Sequence, residues 1–479
     1  MKITLKQVEL RKVDITTRMP FRYGIATLTA VPYLIVFGDF EVDGQPARGV
    51  SADILPPKWF TKQPGALIED EIAEMLLVIQ AACRSALEVG EQESVFHWWK
   101  ELNHLQVTNS ALQEMPALLK GFGVSLLERA AIDATCQKWS TTFHEAIRRN
   151  LLGIELDAFH PELAGGEPAN FLPSKPTAAI SIRHTVGLSD PLTDDEIRPE
   201  DRLEDGLPQS LSNCVEYYGI NYFKIKVPAQ IDEALDRLRR IDRLVRCRKI
   251  PFHFTLDGNE FYTDPDEFRQ FWNQLRQDEQ IRAFLEDGLL VVEQPLHRDV
   301  ALSEQSRQVL CNWEGRPPII IDESDGEMDS LRQALQAGYA GTSHKNCKGV
   351  IKGLANACLL NHLNEQSGKS SYICTGEDLM NVGPVALQQD LAVGAAIGLT
   401  HVERNGHHYV AGLEQMPPNV QREVLEHHSD SYREHKTKHR RFPTLSIEQG
   451  RVDLRSVNLA PFGYAIDLDA KQFELITGF

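Results

Sequence analysis

None of the eight cysteines (Cys83, Cys136, Cys214, Cys247, Cys311, Cys347, Cys358 and Cys374) forms a C-x-x-C pair with another. A disulfide scaffold or a zinc knuckle is therefore not written into the chain, and scattered thiols fit a reducing, cytoplasmic setting. No apolar run reaches the ~18 residues that a membrane span needs, and no signal-type segment follows Met1-Lys-Ile-Thr-Leu-Lys, so neither membrane nor export is expected. Positive charge is also short. Lys and Arg number 50 against 68 Asp and Glu, a formal charge of −18, which argues against nucleic acid as a partner held by a global field. That surplus repels small anions too, so an anionic substrate would need a local lysine cluster or a bound cation.

What is present is ordered patterning over 479 residues. Alternating segments at Ile3 to Val8 and Tyr33 to Val42, with a turn at Asp43-Gly44, predict a small antiparallel sheet. Helical spacing follows from Ile68 to Asn150, and a domain boundary is expected near Pro173. Beyond it, eight β-rich runs alternate with helical stretches. They are Ala178 to Val186, Tyr222 to Val227, Phe252 to Asp257, Leu289 to Glu293, Pro318 to Asp322, Thr342 to Lys345, Ser371 to Thr375 and Ala395 to His401. Eight β/α units close into a TIM-type barrel. The tail from Thr444 returns to strand patterning and is expected to reach the N-terminal sheet. The His-rich stretch Glu426 to Arg441 reads as a solvated, mobile connector, since its histidines lack clean ligand spacing.

In such a barrel the C-terminal strand tips share one mouth, and three of them end in a carboxylate: Asp257, Glu293 and Asp322. Converging carboxylates repel unless a hard cation or protons neutralise them. An all-oxygen donor set selects magnesium, with manganese as the alternative. On the second run Lys224 and Lys226 are two residues apart and share a face. Two close ammonium groups should lower each other's pKa, and a neutral lysine is a competent base. Lys345 and Lys348 stand on the sixth run. In an eight-strand ring the second and sixth strands lie opposite, which puts an amine on either side of whatever the cation holds.

The ordered set Lys224-Ile-Lys226, Asp257-Gly-Asn259, Glu293-Gln-Pro295, Asp322-Glu-Ser324 and Lys345 to Gly349 resembles the enolase superfamily, in its mandelate racemase and muconate lactonizing enzyme branch. The resemblance implies a modified (β/α) barrel under an α+β capping domain built from the N-terminal region and the C-terminal tail. The expected divisions are a cap at 1–170, the barrel at 171–405, and a connector and returning tail at 406–479. It also implies Lys226 and Lys345 as the acid/base pair, Lys224 as electrostatic support, and Asp257, Glu293 and Asp322 as metal ligands, with Asp322 rather than Glu323. Asn259, Glu323, Lys348, Tyr23 and Arg22 are the expected substrate contacts. Phe21 to Tyr23 and Pro56 to Phe60 are expected to act as a lid, and Glu377 and Asp378 fall where this branch often carries another acid. Two departures stand out: added residues near 153–211 and 427–441, and Gly349-Val350 where two glycines are usual.

The implied reaction removes the proton α to a substrate carboxylate through an enediolate that the metal stabilises. Racemisation or epimerisation of a small carboxylic acid or amino-acid derivative comes first, with cycloisomerisation or β-elimination on the same site as the alternative. A noncatalytic metal-binding scaffold is the reading from another class, and a homo-oligomer is expected by analogy.

Overall fold

The computed structural model describes every residue except Gly24, Ile25, Gln63, Pro64, Gly478 and Phe479, and the side chains of Tyr23 and Ala26 are likewise outside it. The chain opens with three antiparallel strands, β1 (Ile3–Tyr23), β2 (Ala26–Val42) and β3 (Gln45–Ile54). Asp43 and Gly44 both take positive φ between β2 and β3, as the tight turn requires. The sheet buries Leu34, Val36 and Ser51 under three helices, α1 (Ile68–Glu88), α2 (Val95–Thr108) and α3 (Ala117–Lys138). Almost all of α3 from Leu118 to Cys136 is buried, polar residues included. Such a helix needs an apolar or hydrogen-bonded partner on every side.

The second body is a closed barrel of eight parallel strands: β4 (Ala179–Val186), β5 (Tyr222–Lys226), β6 (His253–Asp257), β7 (Leu289–Glu293), β8 (Ile319–Ile321), β9 (Gly341–His344), β10 (Ile373–Gly376) and β11 (His401–Arg404). Each strand pairs with the next and β11 pairs with β4, which closes the ring. Outer helices include α4 (Leu211–Tyr218), α5 (Ile231–Arg246), α6 (Pro265–Gln277), α7 (Val350–Ser367) and α8 (Ala386–Ala396). Helix α5 shows how local sequence sets this layer. Asp232 and Glu233 occupy its first turn and Arg243 and Arg246 its last, matching the helix dipole, while Ala234, Leu238, Ile241 and Val245 face the barrel.

Two expectations require correction. Ala395 to His401 is not a strand, because its first residues complete α8 and the eighth strand begins only at His401. The stretch 426–441 is not a mobile connector. It contains the end of a helix (Pro418–His427) and the greater part of an antiparallel hairpin, β12 (Tyr432–Lys436) with β13 (Arg441–Leu445), whose Tyr432 and Phe442 are buried. The tail then divides its pairing. Strand β14 (Arg451–Asp453) runs antiparallel to the start of β4, and β15 (Glu474–Leu475) joins β1 at the edge of the N-terminal sheet.

The tail is also held by a buried carboxylate. Asp133 of α3 accepts hydrogen bonds from the Val50 amide (2.8 Å) and the Tyr464 hydroxyl (2.7 Å), both on Oδ2. Burial pushes its pKa up to about 7. The folded chain therefore keeps this proton where the unfolded chain loses it, so stability should fall as pH rises from about 4 to about 7. Asp133→Asn keeps an acceptor for both donors and removes the titration. Compared with the native chain in denaturant titrations, it should be about 2–4 kcal/mol more favourable at about pH 8 than at about pH 4. An unchanged difference between the two pH values would show that Asp133 is ionised throughout.

Candidate active site

The mouth of the barrel is assembled from strand ends. Alternation on β4 sends Arg183 and Thr185 inward, where Arg183 pairs with Glu377 at 2.6 Å and Thr185 donates to Glu403. On β5, Lys224 and Lys226 share the inner face, and both line the cavity at the mouth. Beyond β6 the chain turns sharply. Asn259 takes a positive φ, its amide donates to Asp257 Oδ1 at 2.8 Å, and its Oδ1 accepts from Lys226 Nζ at 2.9 Å. Gly258 is required there, because a Cβ would lie 2.5 Å from Pro295 Cα.

The Glu-Gln-Pro and Asp-Glu-Ser segments are coupled through Gln294. Its Oε1 accepts from the Asp322 amide at 2.7 Å and the Ser324 amide at 3.2 Å, which fixes the end of β8 against the end of β7. The cap reaches the sixth strand in a comparable way. Glu128 of α3 accepts from the amides of Val350 (3.0 Å) and Ile351 (2.7 Å) at the start of α7, the helix that follows Lys345 and Lys348.

Four carboxylates surround one lysine. Lys224 Nζ lies 2.6 Å from Glu293 Oε1, 2.9 Å from Glu377 Oε2, 2.9 Å from Glu403 Oε2 and 3.3 Å from Asp257 Oδ2. Lys345 Nζ lies 2.5 Å from Asp322 Oδ2 and 3.1 Å from Glu377 Oε2, with the Trp59 ring centroid at 4.7 Å. Lys348 is 3.2 Å from Asp322 Oδ1 and donates to Ser343 Oγ at 3.1 Å. Lys226 is 3.9 Å from Asp257 Oδ2.

These contacts reverse the expected direction of the lysine shifts. Burial works against the ammonium of Lys224 and of Lys345. The carboxylates around them outweigh burial and hold both pKa values well above the ordinary lysine value. Asp322 moves the other way. Burial disfavours its charge, yet Lys345 and Lys348 keep it ionised below the usual carboxylate range. Glu293 is the exception among the acids. Burial, followed by the nearby Glu377 charge, pushes it well above its ordinary value, and its Oε2 is buried without a hydrogen-bond partner.

That orphan oxygen belongs to a group of acids with a spacing that could hold a cation. Ligand oxygens of Glu293, Asp322 and Glu377 all lie within 4.8 Å of one another. The donor set is entirely carboxylate, as magnesium prefers. The structure thus groups Glu377 with Glu293 and Asp322. Asp257, named from the sequence as the third ligand, stands beside Lys224 and Lys226 and is not among the three.

The cavity over these groups, about 70 Å³, is lined by Phe21, Pro56, Trp59, Lys226, Asn259 and Glu323, among others. Arg298 holds the 56–60 segment in place, donating to the carbonyls of Trp59 and Phe60 while pairing with Glu260. Arg22 is exposed and lines a neighbouring 580 Å³ cavity rather than this one. Lys348 lies under Asp322, away from the cavity lining. The side chain of Tyr23 lies outside the described residues. Sequence reasoning missed Glu403 and Arg183, and it placed Trp59 only within the expected lid segment. Glu403 carried a usable signal, since it too is an acid at a strand end.

A closed eight-strand parallel barrel with an α+β cap is the fold of mandelate racemase and muconate lactonizing proteins. Solved structures agree along nearly the whole chain. A mandelate racemase/muconate lactonizing protein from Herpetosiphon aurantiacus superposes with a TM-score of 0.57 at 13% identity, covering 97% of this chain and 99% of that one. A dipeptide epimerase from Enterococcus faecalis gives 0.57 at 16% identity, covering 96% and 99%. An enolase from Bradyrhizobium, complexed with magnesium and mandelic acid, gives 0.57 at 14% identity, covering 100% and 99%. No family model and no curated protein matches the sequence. Among the described residues, no helix is long and apolar enough to cross a membrane.

Proposed function

We propose that this chain is a metal-dependent enzyme that removes the proton α to a substrate carboxylate and returns it, acting as a racemase or epimerase of a small carboxylic acid or amino-acid derivative. The observation that carries this reading is the pairing of Lys226 and Lys345. Lys226 ends β5 and Lys345 directly follows β9, four places apart in the eight-strand ring, and both line one cavity. A planar intermediate held between them has a lysine nitrogen on each face, with the Lys345 ammonium placed to return a proton lost on the other side.

Glu293, Asp322 and Glu377 would hold a divalent cation, with magnesium the proposed ion, and when bound it would offset the negative charge gathering on the substrate carboxylate. The remaining work belongs to the chain. Asn259 orients Lys226 through its 2.9 Å hydrogen bond. Asp322 and the Trp59 ring hold the Lys345 ammonium at the mouth. Phe21, Pro56 and Trp59 cover the site and limit water. The likeness to a dipeptide epimerase supports this choice of reaction at the level of fold.

The test is solvent exchange. The protein is incubated in D2O with magnesium and panels of dipeptides, N-acylamino acids, sugar acids and lactones, and the α-proton signal is followed by NMR. Exchange that requires both the protein and the cation is the expected result. Absence of exchange across all panels by protein that binds magnesium would favour a scaffold.

A further inference from the structure

On β4, Arg183 and Thr185 face the barrel interior, so His184 between them faces outward. There it meets Cys214 of α4 and two histidines, His407 and His408, of a short helical turn at Gly406–Tyr409 that follows β11. His184, Cys214 and His408 are buried. Their ligand atoms lie within 4.8 Å of one another. Two contacts cross the cluster: Cys214 Sγ to His408 Nδ1 at 3.4 Å, and His184 Nδ1 to His407 Nε2 at 3.2 Å. His407 Nδ1 is buried with no hydrogen-bond partner.

We propose that His184, Cys214 and His408, with His407 adjoining His184, form a second metal site, on the outer wall of the barrel, for a thiophilic divalent cation of the zinc class. The donor chemistry makes the choice. One sulfur and imidazole nitrogens, with no carboxylate in the group, disfavour magnesium and calcium and suit zinc or cobalt. The spacing agrees with it. Tetrahedral zinc with bonds of about 2.0–2.1 Å to nitrogen and about 2.3 Å to sulfur separates two nitrogens by about 3.3 Å and a sulfur from a nitrogen by about 3.6 Å. The two observed contacts are close to these tetrahedral edges.

Burial keeps the imidazoles neutral, with His184 pushed down to about 4 and His408 held well below its ordinary value, so their lone pairs are ready to ligate. Burial also keeps the Cys214 thiol protonated. Binding therefore forms a metal–sulfur bond, breaks the S–H bond and releases one proton to solvent, with no change of oxidation state. An entry route exists, because His408 also lines the 580 Å³ cavity beside Arg18, Asp190 and Tyr409. Such a site would tie together α4, β4 and the turn that directly follows Glu403 and Asn405, bracing the eighth strand of the catalytic barrel. It stands whether or not the proposed reaction is correct.

Cobalt reports this site selectively, because the carboxylate group at the barrel mouth contains no thiolate. Chelator-treated protein is titrated with Co2+ in the presence of excess Mg2+. The expected result is a sulfur-to-cobalt charge-transfer band in the near ultraviolet that saturates at one equivalent and is displaced by Zn2+. The band should be lost in Cys214→Ser, weakened in His408→Asn and kept in Cys247→Ser, whose cysteine is exposed. No band in the native chain, or a band that persists in Cys214→Ser, overturns the proposal. Should Cys214→Ser fail to fold, zinc-edge X-ray absorption on the native chain decides: one sulfur at about 2.3 Å with nitrogen neighbours supports the site, and a shell without sulfur refutes it.

Discussion

Lys345→Ala and Lys226→Ala are each expected to lower α-proton exchange by about 10²–10⁴, the usual contribution of a positioned acid or base. The stereochemistry of the loss carries more information than its size. If each lysine serves one face, one variant should still exchange the proton of one enantiomer, and the second variant that of the other. Exchange is followed separately from each pure enantiomer by NMR in D2O. Folding should survive both changes. Removing Lys345 leaves Asp322 beside Lys348, at 3.2 Å. Removing Lys226 takes away a contact with Asn259 and leaves Lys224 beside Asp257. Two variants that exchange both enantiomers at the native rate would rule these lysines out as the acid/base pair.

Much of the site was legible because barrel geometry turns strand ends into neighbours. Glu293 and Asp322 end apolar runs, a pattern that packing alone does not require. The failures have physical causes. Ala395-Ala396-Ile397-Gly398-Leu399 is a short apolar run that periodicity cannot assign. Read as a strand, it hid Glu403 beyond the end of the run. Glu377, expected only as a further acid of this region, follows Gly376 at the end of β10, and only the closed ring brings it against Glu293 and Asp322. The lysine shifts failed for a related reason. Lys224 and Lys226 are seen as like charges two residues apart, whereas the carboxylates that dominate Lys224 come from β6, β7 and the chain just after β10 and within β11. The 432–445 hairpin was hidden by composition, since its exposed positions are Glu434, Lys436 and Arg441 and its buried apolar residues are split between two faces, Tyr432 and Leu445 on one and Phe442 on the other.

The position of Lys224 leads to the second large effect. One buried ammonium lies within 3.3 Å of four carboxylates from four different stretches of the barrel, so it acts as an internal counterion for the same group of acids that would receive a divalent cation. Lys224→Met keeps the volume and removes the charge. Without divalent cation, this leaves Glu293, Glu377, Glu403 and Asp257 short of their common partner, and breaking a buried ion pair on one side costs about 3–5 kcal/mol. Denaturant unfolding of the metal-free variant should show a loss of that order. Because a cation that binds only the folded state adds stability by mass action, magnesium should recover more stability in Lys224→Met than in the native chain. Arg183, still paired with Glu377 at 2.6 Å, sets a limit on the loss. Equal stability of variant and native chain without metal would mean that the acids are already neutralised by protons and that Lys224 is not their counterion.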